Sequence, residues 1–333
     1  MRRFLLPPTL ALALAVTFAG AAGAADSVGI DRLEAKDPVT GQPAEAITWY
    51  PTDTEPARLQ VGPYFVDAAN EGAVPAELRG LIVISHGSGG GQLSHLDTAM
   101  ALAKAGYLVA TPRHPGDSAS DDGAAGSWQV MAGRPQTISA VIDAALTDPR
   151  YKEPLAGAKV GVVGYGAGGY TALTLVGARP DLHNVVDHCA ANPEDGYCGL
   201  AEAERSGQDM NRPLGNLQDR RIEAAAILAP KTAAFSDTAF ATIRIPILVY
   251  RAEQDGILRF PLHADRLRRL LPTAPEYRVA GGAGHDAFLT PMQAEETDGV
   301  AQTASGDPPG FDRAAFHTAL NVELAAFFDL TLR

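Results

Sequence analysis

Five short apolar runs recur along the chain: Leu81 to Ser85, Leu108 to Thr111, Val160 to Val163, Ala224 to Leu228 and Ile247 to Tyr250. Runs without polar alternation are strands covered on both faces. Ala46 to Tyr50 and Tyr64 to Val66 read as shorter leading strands. Between the runs the spacing turns helical. Ser94-His95-Leu96-Asp97 reads as a capping box that opens a helix through Lys104, and Pro135 to Leu146 sets Ile138, Val141, Ile142 and Ala145 on one face. A further helix follows the turn at Gly166 and ends near Ala178. Another follows Pro261 and buries Leu262, Leu267, Leu270 and Leu271, while the last aligns Phe316, Leu320, Leu324, Phe327 and Phe328. This alternation predicts an α/β fold with a mostly parallel central sheet flanked by helices. No internal repeat is visible.

Two stretches interrupt the pattern. Residues 181–221 are polar, contain both cysteines, and stand between a helix and a strand; loops of this length are functional or disordered. Their place in the order predicts a small cap over the carboxyl edge of the sheet. Residues 290–312 are rich in Gly, Pro, Asp and Glu and read as a surface excursion.

With 46% hydrophobic and 20% charged residues, the 333-residue chain suits one sizeable globular domain. Met1-Arg2-Arg3, the apolar run Phe4 to Phe18 and Ala22-Gly23-Ala24 are the three parts of a secretory signal peptide over residues 1–24, with cleavage expected after Ala24 or Ala25. Pro7 and Pro8 interrupt a run already short for a membrane anchor. A periplasmic or secreted protein is therefore expected, with residues 25–333 as its domain. The net charge of −12, without a basic cluster, argues against nucleic acid as a partner. In an exported chain, the lone close pair Cys189 and Cys198 reads as a disulfide, not as a metal site or a reactive thiol. His183 and His188 are not at the helical spacing of a metal pair, and a solvated face is the expectation for both. No metal and no cofactor is expected.

Ligands of open α/β sheets bind at the carboxyl ends of the strands. There the run Val160 to Val163 leads into Gly164-Tyr165-Gly166-Ala167-Gly168-Gly169, a Gly-x-Ser-x-Gly elbow with glycine at the nucleophile position. Glycine takes the positive φ of such a turn without strain but brings no oxygen. The glycine-rich turn His86-Gly87-Ser88-Gly89-Gly90-Gly91 follows the first long run, where esterases place one oxyanion donor, and the amide of Ala167 is the second. Asp255, with Glu253 as competitor, stands where a carboxylate fixes an imidazole, and His285 follows in a flexible Gly281-Gly282-Ala283-Gly284 context. The order elbow, acid, histidine is that of an α/β-hydrolase triad. His86, His114, Trp128 and Tyr165 are candidates to shape a substrate pocket.

From about Pro43 to its end the chain resembles the α/β-hydrolase superfamily, and within it the dienelactone-hydrolase-like proteins and their platelet-activating-factor acetylhydrolase relatives. Ile84 to Gly90, Thr111 to Gly116, Arg134-Pro135, Gly168 to Leu173, Gly284-His285 and Asp307 to Arg313 carry the likeness. It implies Ser88 and Ala167 as oxyanion amides, Asp255 as acid, His285 as base, and a small carboxylic ester or lactone as substrate. Gly166 departs from the family serine, so the chain is expected to be inactive or nearly so as an esterase, or else to act as a ligand-binding or interaction protein on the same fold. A remote alternative is a dinucleotide-binding oxidoreductase. Gly164, Gly166 and Gly169 fit the Gly-x-Gly-x-x-Gly pattern and Asp187 lies where a ribose-binding carboxylate is expected, but a bare match of this kind is unspecific.

Overall fold

A computed structural model describes residues 25–291 and 306–333. The expected signal peptide lies outside the described residues, as does most of the 290–312 stretch. The strands are β1 (Ser27–Leu33), β2 (Ala46–Thr52), β3 (Ala57–Val61), β4 (Tyr64–Asn70), β5 (Gly80–Ser85), β6 (Leu108–Pro112), β7 (Lys159–Tyr165), β8 (Ile222–Leu228), β9 (Ile247–Ala252) and β10 (Glu276–Ala280). The helices are α1 (Leu96–Lys104), α2 (Trp128–Thr147), α3 (Ala167–Leu175), α4 (His183–Ala191), α5 (Ala201–Gln208), α6 (Ala264–Leu270) and α7 (Arg313–Thr331).

All ten strands form one sheet in the order β10-β9-β8-β7-β5-β6-β2-β1-β4-β3. From β10 to β6 the strands are parallel, and β2 joins β6 antiparallel. Residues alternate across the sheet. Leu81 and Val83 face one core with Met131, Ile138 and Leu173, whereas Ile82 and Ile84 face the other with Leu102, Leu324 and Phe328. The register sets Ser85 opposite Gly164, Tyr165 opposite Leu228, and Leu228 opposite Tyr250. The turns after β5, β7, β8 and β9 therefore emerge side by side.

The parallel sheet follows the expected apolar runs, while several boundaries differ for identifiable reasons. Helix α2 begins at Trp128, well before Pro135, which lies inside it. Proline cannot donate to the carbonyl four residues back. That carbonyl, of Met131, accepts the Tyr170 hydroxyl at 2.9 Å instead. The expected capping box does not form: His95 is the N-cap of α1, Ser94 accepts the Gly91 amide, and Asp97 turns to α7. β1, β3 and β10 lie outside the expected runs; β3 and β10 are edge strands, and most of their side chains are partly or fully exposed.

Asp97 ties α1 to the segment that follows β10. Its carboxylate accepts from His317 at 2.6 Å, Asn321 at 2.9 Å and Thr290 at 2.9 Å. His317 also bonds the Ala287 carbonyl at 2.9 Å, and His95 the Phe288 carbonyl at 2.9 Å. Residues 285–290 are thus held from two helices.

Two outcomes follow from this packing. A Cβ on Gly168 would stand 1.8 Å from the Ser85 carbonyl oxygen, a backbone atom that cannot yield alone. Gly168→Ala is therefore expected to lose about 3 kcal/mol in urea unfolding. Burial raises the Asp97 pKa, but the bonds from His317, Asn321 and Thr290 outweigh it and hold it at about 2. A carboxyl lowered on folding stabilises fully above its unfolded pKa of about 4 and loses this as pH falls through its folded value. Asp97→Asn should flatten the decline of unfolding free energy between about pH 4 and pH 2, measured by urea melts across that range.

Candidate active site

β7 ends at Tyr165, and Gly166 caps α3 with φ 54° and ψ −113°. Its amide donates to the Leu228 carbonyl at 3.0 Å, and its carbonyl accepts the amides of Gly169 and Lys231, each at 2.9 Å. Three neighbouring segments thus fix the turn. A Cβ built on Gly166 would meet the Gly87 Cα at 3.7 Å and the His285 Nε2 at 3.7 Å. One atom beyond that Cβ lies within hydrogen-bond reach of the imidazole.

His285 Nδ1 bonds Asp255 Oδ2 at 2.8 Å, with the carboxylate almost wholly buried and the ring slightly exposed. Asp255 Oδ1 accepts the amides of Ile257 at 2.9 Å and Leu258 at 2.8 Å. Glu253 accepts the Gly282 amide instead, so Asp255 is the carboxylate that meets the ring. The Tyr165 ring packs against His285 with centroids 5.1 Å apart, and its hydroxyl donates toward the His285 carbonyl and Asp286. Burial, then Asp286 and Asp255, push the Tyr165 pKa well up.

The turn after β5 rests on a buried ion pair. Asp117 Oδ1 accepts the Gly89 amide and the Ser88 hydroxyl, both at 2.8 Å, while Oδ2 meets Arg134 at 2.8 Å. Arg134 also donates to the His86 carbonyl and, through Nε, to Thr171 on α3 at 3.1 Å. Burial opposes the ionised Asp117, but Arg134, Lys231 and the Gly89 amide outweigh it and lower its pKa. In the sequence the only signal of this pair is an arginine among the buried positions of a helix.

A cavity of about 1260 Å³ opens above these groups, bordered by Ser88, Gly166, Ala167 and His285. Leu200 and Glu202 reach it from the 181–221 segment, and Lys231 from the turn after β8. Glu202 Oε2 lies 2.6 Å from the Ser88 hydroxyl oxygen, where it shares that one proton with Asp117, and 3.4 Å from Lys231 Nζ. Ala167 is the first residue of α3, so its amide has no acceptor within the helix. Tyr165 borders the cavity, whereas the other three expected pocket residues do not. His86 and His114 are buried beneath the turn with ring centroids 4.8 Å apart. Burial, then Arg134, lowers the His86 pKa to about 3 and that of His114 well below its usual value. Trp128 donates to the Pro213 carbonyl and stacks with Arg212.

Cys189 and Cys198 form a disulfide. His183 is exposed, but His188 is not on a solvated face: its Nε2 bonds Asp195 at 2.7 Å, and His263 Nε2 bonds the same oxygen at 2.8 Å. The ligand atoms of these three residues lie within 4.8 Å of one another. However, the Thr232 amide donates to His263 Nδ1 at 3.1 Å, which leaves the ring proton on Nε2. That proton points at Asp195 and occupies the position a metal requires. Asp187 lies on α4, not at the end of a strand, which removes the ribose-binding carboxylate of the dinucleotide reading.

The sequence matches the Dienelactone hydrolase family over residues 68–196. Among solved structures the chain is similar to a ferulic acid esterase from Streptomyces cinnamoneus, with 18% identity and a TM-score of 0.62 over 94% of this chain and 92% of that one. At this identity the likeness establishes the fold alone. No curated protein sequence matches. The parallel sheet, the turn at Gly166 and the family match over residues 68–196 together support an α/β-hydrolase of the dienelactone hydrolase-like kind.

Proposed function

We propose that the chain carries the site of a carboxylic ester hydrolase that is complete except for its nucleophile, and that as written it forms no acyl-enzyme. One observation carries this reading: a side chain at position 166 would start 3.7 Å from the Nε2 of an imidazole whose other nitrogen is bonded to a buried carboxylate. With a hydroxyl at that position, its oxygen attacks the ester carbonyl as its proton passes to His285 Nε2. The amides of Ser88 and Ala167 receive the oxyanion, and His285 then returns the proton to the departing alkoxide. Asp255 holds the ring with Nε2 toward the reaction and stabilises the imidazolium. Water repeats the cycle on the acyl group. Glycine removes the first step and leaves the rest of the frame, so binding of small esters or lactones persists. Residues 181–221 act as the cap of this site, and Leu200 and Glu202 are its contribution to the cavity wall.

A non-catalytic ligand-binding role on the same frame is the second reading, favoured by Gly166 itself. The disulfide supports an exported protein, since such bonds persist in oxidising compartments. Among the described residues no helix is long and apolar enough to cross a membrane.

Gly166→Ser separates the two readings. Loss of the serine from a triad costs on the order of 10⁶ in turnover. The variant is therefore expected to raise hydrolysis of p-nitrophenyl acetate by about 10³-fold or more, with His285→Ala abolishing the gain. No recovery in a folded variant would mean that the remaining groups do not act together, and would favour the binding role.

A further inference from the structure

The loop that bears Asp255 is held from outside by the 181–221 segment. The Tyr197 amide donates to the Ile257 carbonyl at 2.8 Å, and the Arg259 amide donates to Asp195 Oδ1 at 3.3 Å. Between these bonds Gly196 packs so closely on the loop that a Cβ there would stand 2.2 Å from the Gly256 carbonyl oxygen. Ile257 is also one of the two residues whose amides fix Asp255 Oδ1. All three contacting residues, Asp195, Gly196 and Tyr197, fall inside the ring closed by Cys189 and Cys198.

Asp195 is the hub of this contact. It is 1% exposed, and its Oδ2 accepts from both His188 and His263. Burial raises its pKa, but the bonds from His188 and His263 outweigh it and keep the carboxylate ionised. Burial pushes the His263 pKa down despite its bond to Asp195, so that ring is neutral and donates through Nε2 alone. Its Nδ1 accepts from Thr232, the neighbour of Lys231, whose amide bonds the Gly166 carbonyl. One buried carboxylate from outside the sheet thus meets the loop of the triad acid directly and reaches the turn beside the elbow through His263.

We propose that the disulfide-closed ring is a brace for Asp255, with Asp195 as the positioning residue that locks it to the 255–259 loop. The inference rests on the ester-hydrolase reading of Asp255 and His285. It assigns a catalytic purpose to the His188, Asp195 and His263 cluster and to the cysteine pair. Released from the brace, the loop shifts, and Asp255 no longer holds the imidazole at its present distance and angle. Misplacement of a reacting group by about 1 Å costs about 10²-fold in rate.

Proton NMR of the chain as it stands tests this without turnover. The proton between His285 and Asp255 should give a low-field resonance, assigned by its loss in His285→Ala. Asp195→Asn sets an NH2 against either the two imidazole donors or the Arg259 amide, so one side of the brace is lost in both orientations and that resonance should broaden or move upfield. Cys189→Ser/Cys198→Ser should move it in the same direction. In a Gly166→Ser background, Asp195→Asn should lower kcat by about 10²-fold while KM stays within about twofold, because the acid acts on the transition state and not on substrate binding. A folded Asp195→Asn variant, with unchanged near-ultraviolet circular dichroism, an unchanged resonance and an unchanged kcat, would overturn the brace alone. Where that variant does not fold, an unchanged resonance in the double serine variant does the same. Absence of the resonance in the parent chain would overturn the reading of His285 and Asp255, and the brace with it.

Discussion

Everything at this site depends on how closely the first turn of α3 approaches the end of β5. Gly168 lies against the Ser85 carbonyl so tightly that no side chain fits between them. That contact brings the turn at Gly166 against Gly87, and so sets it beside the glycine-rich turn that follows β5. Parallel register supplies the rest, since β7 and β8 end level with one another, β9 ends at Ala252 just past that row, and their following turns share one edge. The site is thus a consequence of strand register and one close backbone contact, and it does not require the residue at position 166 to be anything larger than glycine.

Around this contact the chain places fixed charges in pairs. Arg134 and Asp117 are both buried, and each is used several times: the arginine grips the His86 carbonyl and Thr171, and the aspartate grips the Gly89 amide and the Ser88 hydroxyl. Removing one partner of such a pair strands a charge and costs about 3–5 kcal/mol, whereas the intact pair adds little net stability. What it provides is geometry. The same logic recurs on the opposite wall, where Asp195 collects two imidazoles and a backbone amide, and at α7, where Asp97 collects His317, Asn321 and Thr290. Three buried or half-buried carboxylates therefore anchor three different borders of one cavity.

The sheet was legible because its central strands are uninterrupted apolar runs, and the elbow because glycine spacing and strand-to-helix order are local properties. That Asp255 and His285 would meet was legible from their order and their glycine context, and they bond at 2.8 Å. What escaped the sequence is long-range. The start of α2 depended on the Tyr170 hydroxyl meeting the Met131 carbonyl, a contact 39 residues apart. His86 and His114 looked like pocket residues because they follow strands, yet both turn inward under Arg134. His188 looked solvated because its partner Asp195, close by in the chain, is itself held inside by His263, 68 residues further on. Polar residues whose partners are distant in the chain cannot be told from surface residues by pattern alone.

Labelling tests the central claim most directly. The Gly166→Ser variant, treated with a fluorophosphonate and digested, should carry the probe on the peptide that contains position 166, and labelling should fall away when His285 is replaced by alanine. Label on any other residue, or no label on a folded variant, would contradict the assignment of position 166 as the vacant nucleophile site.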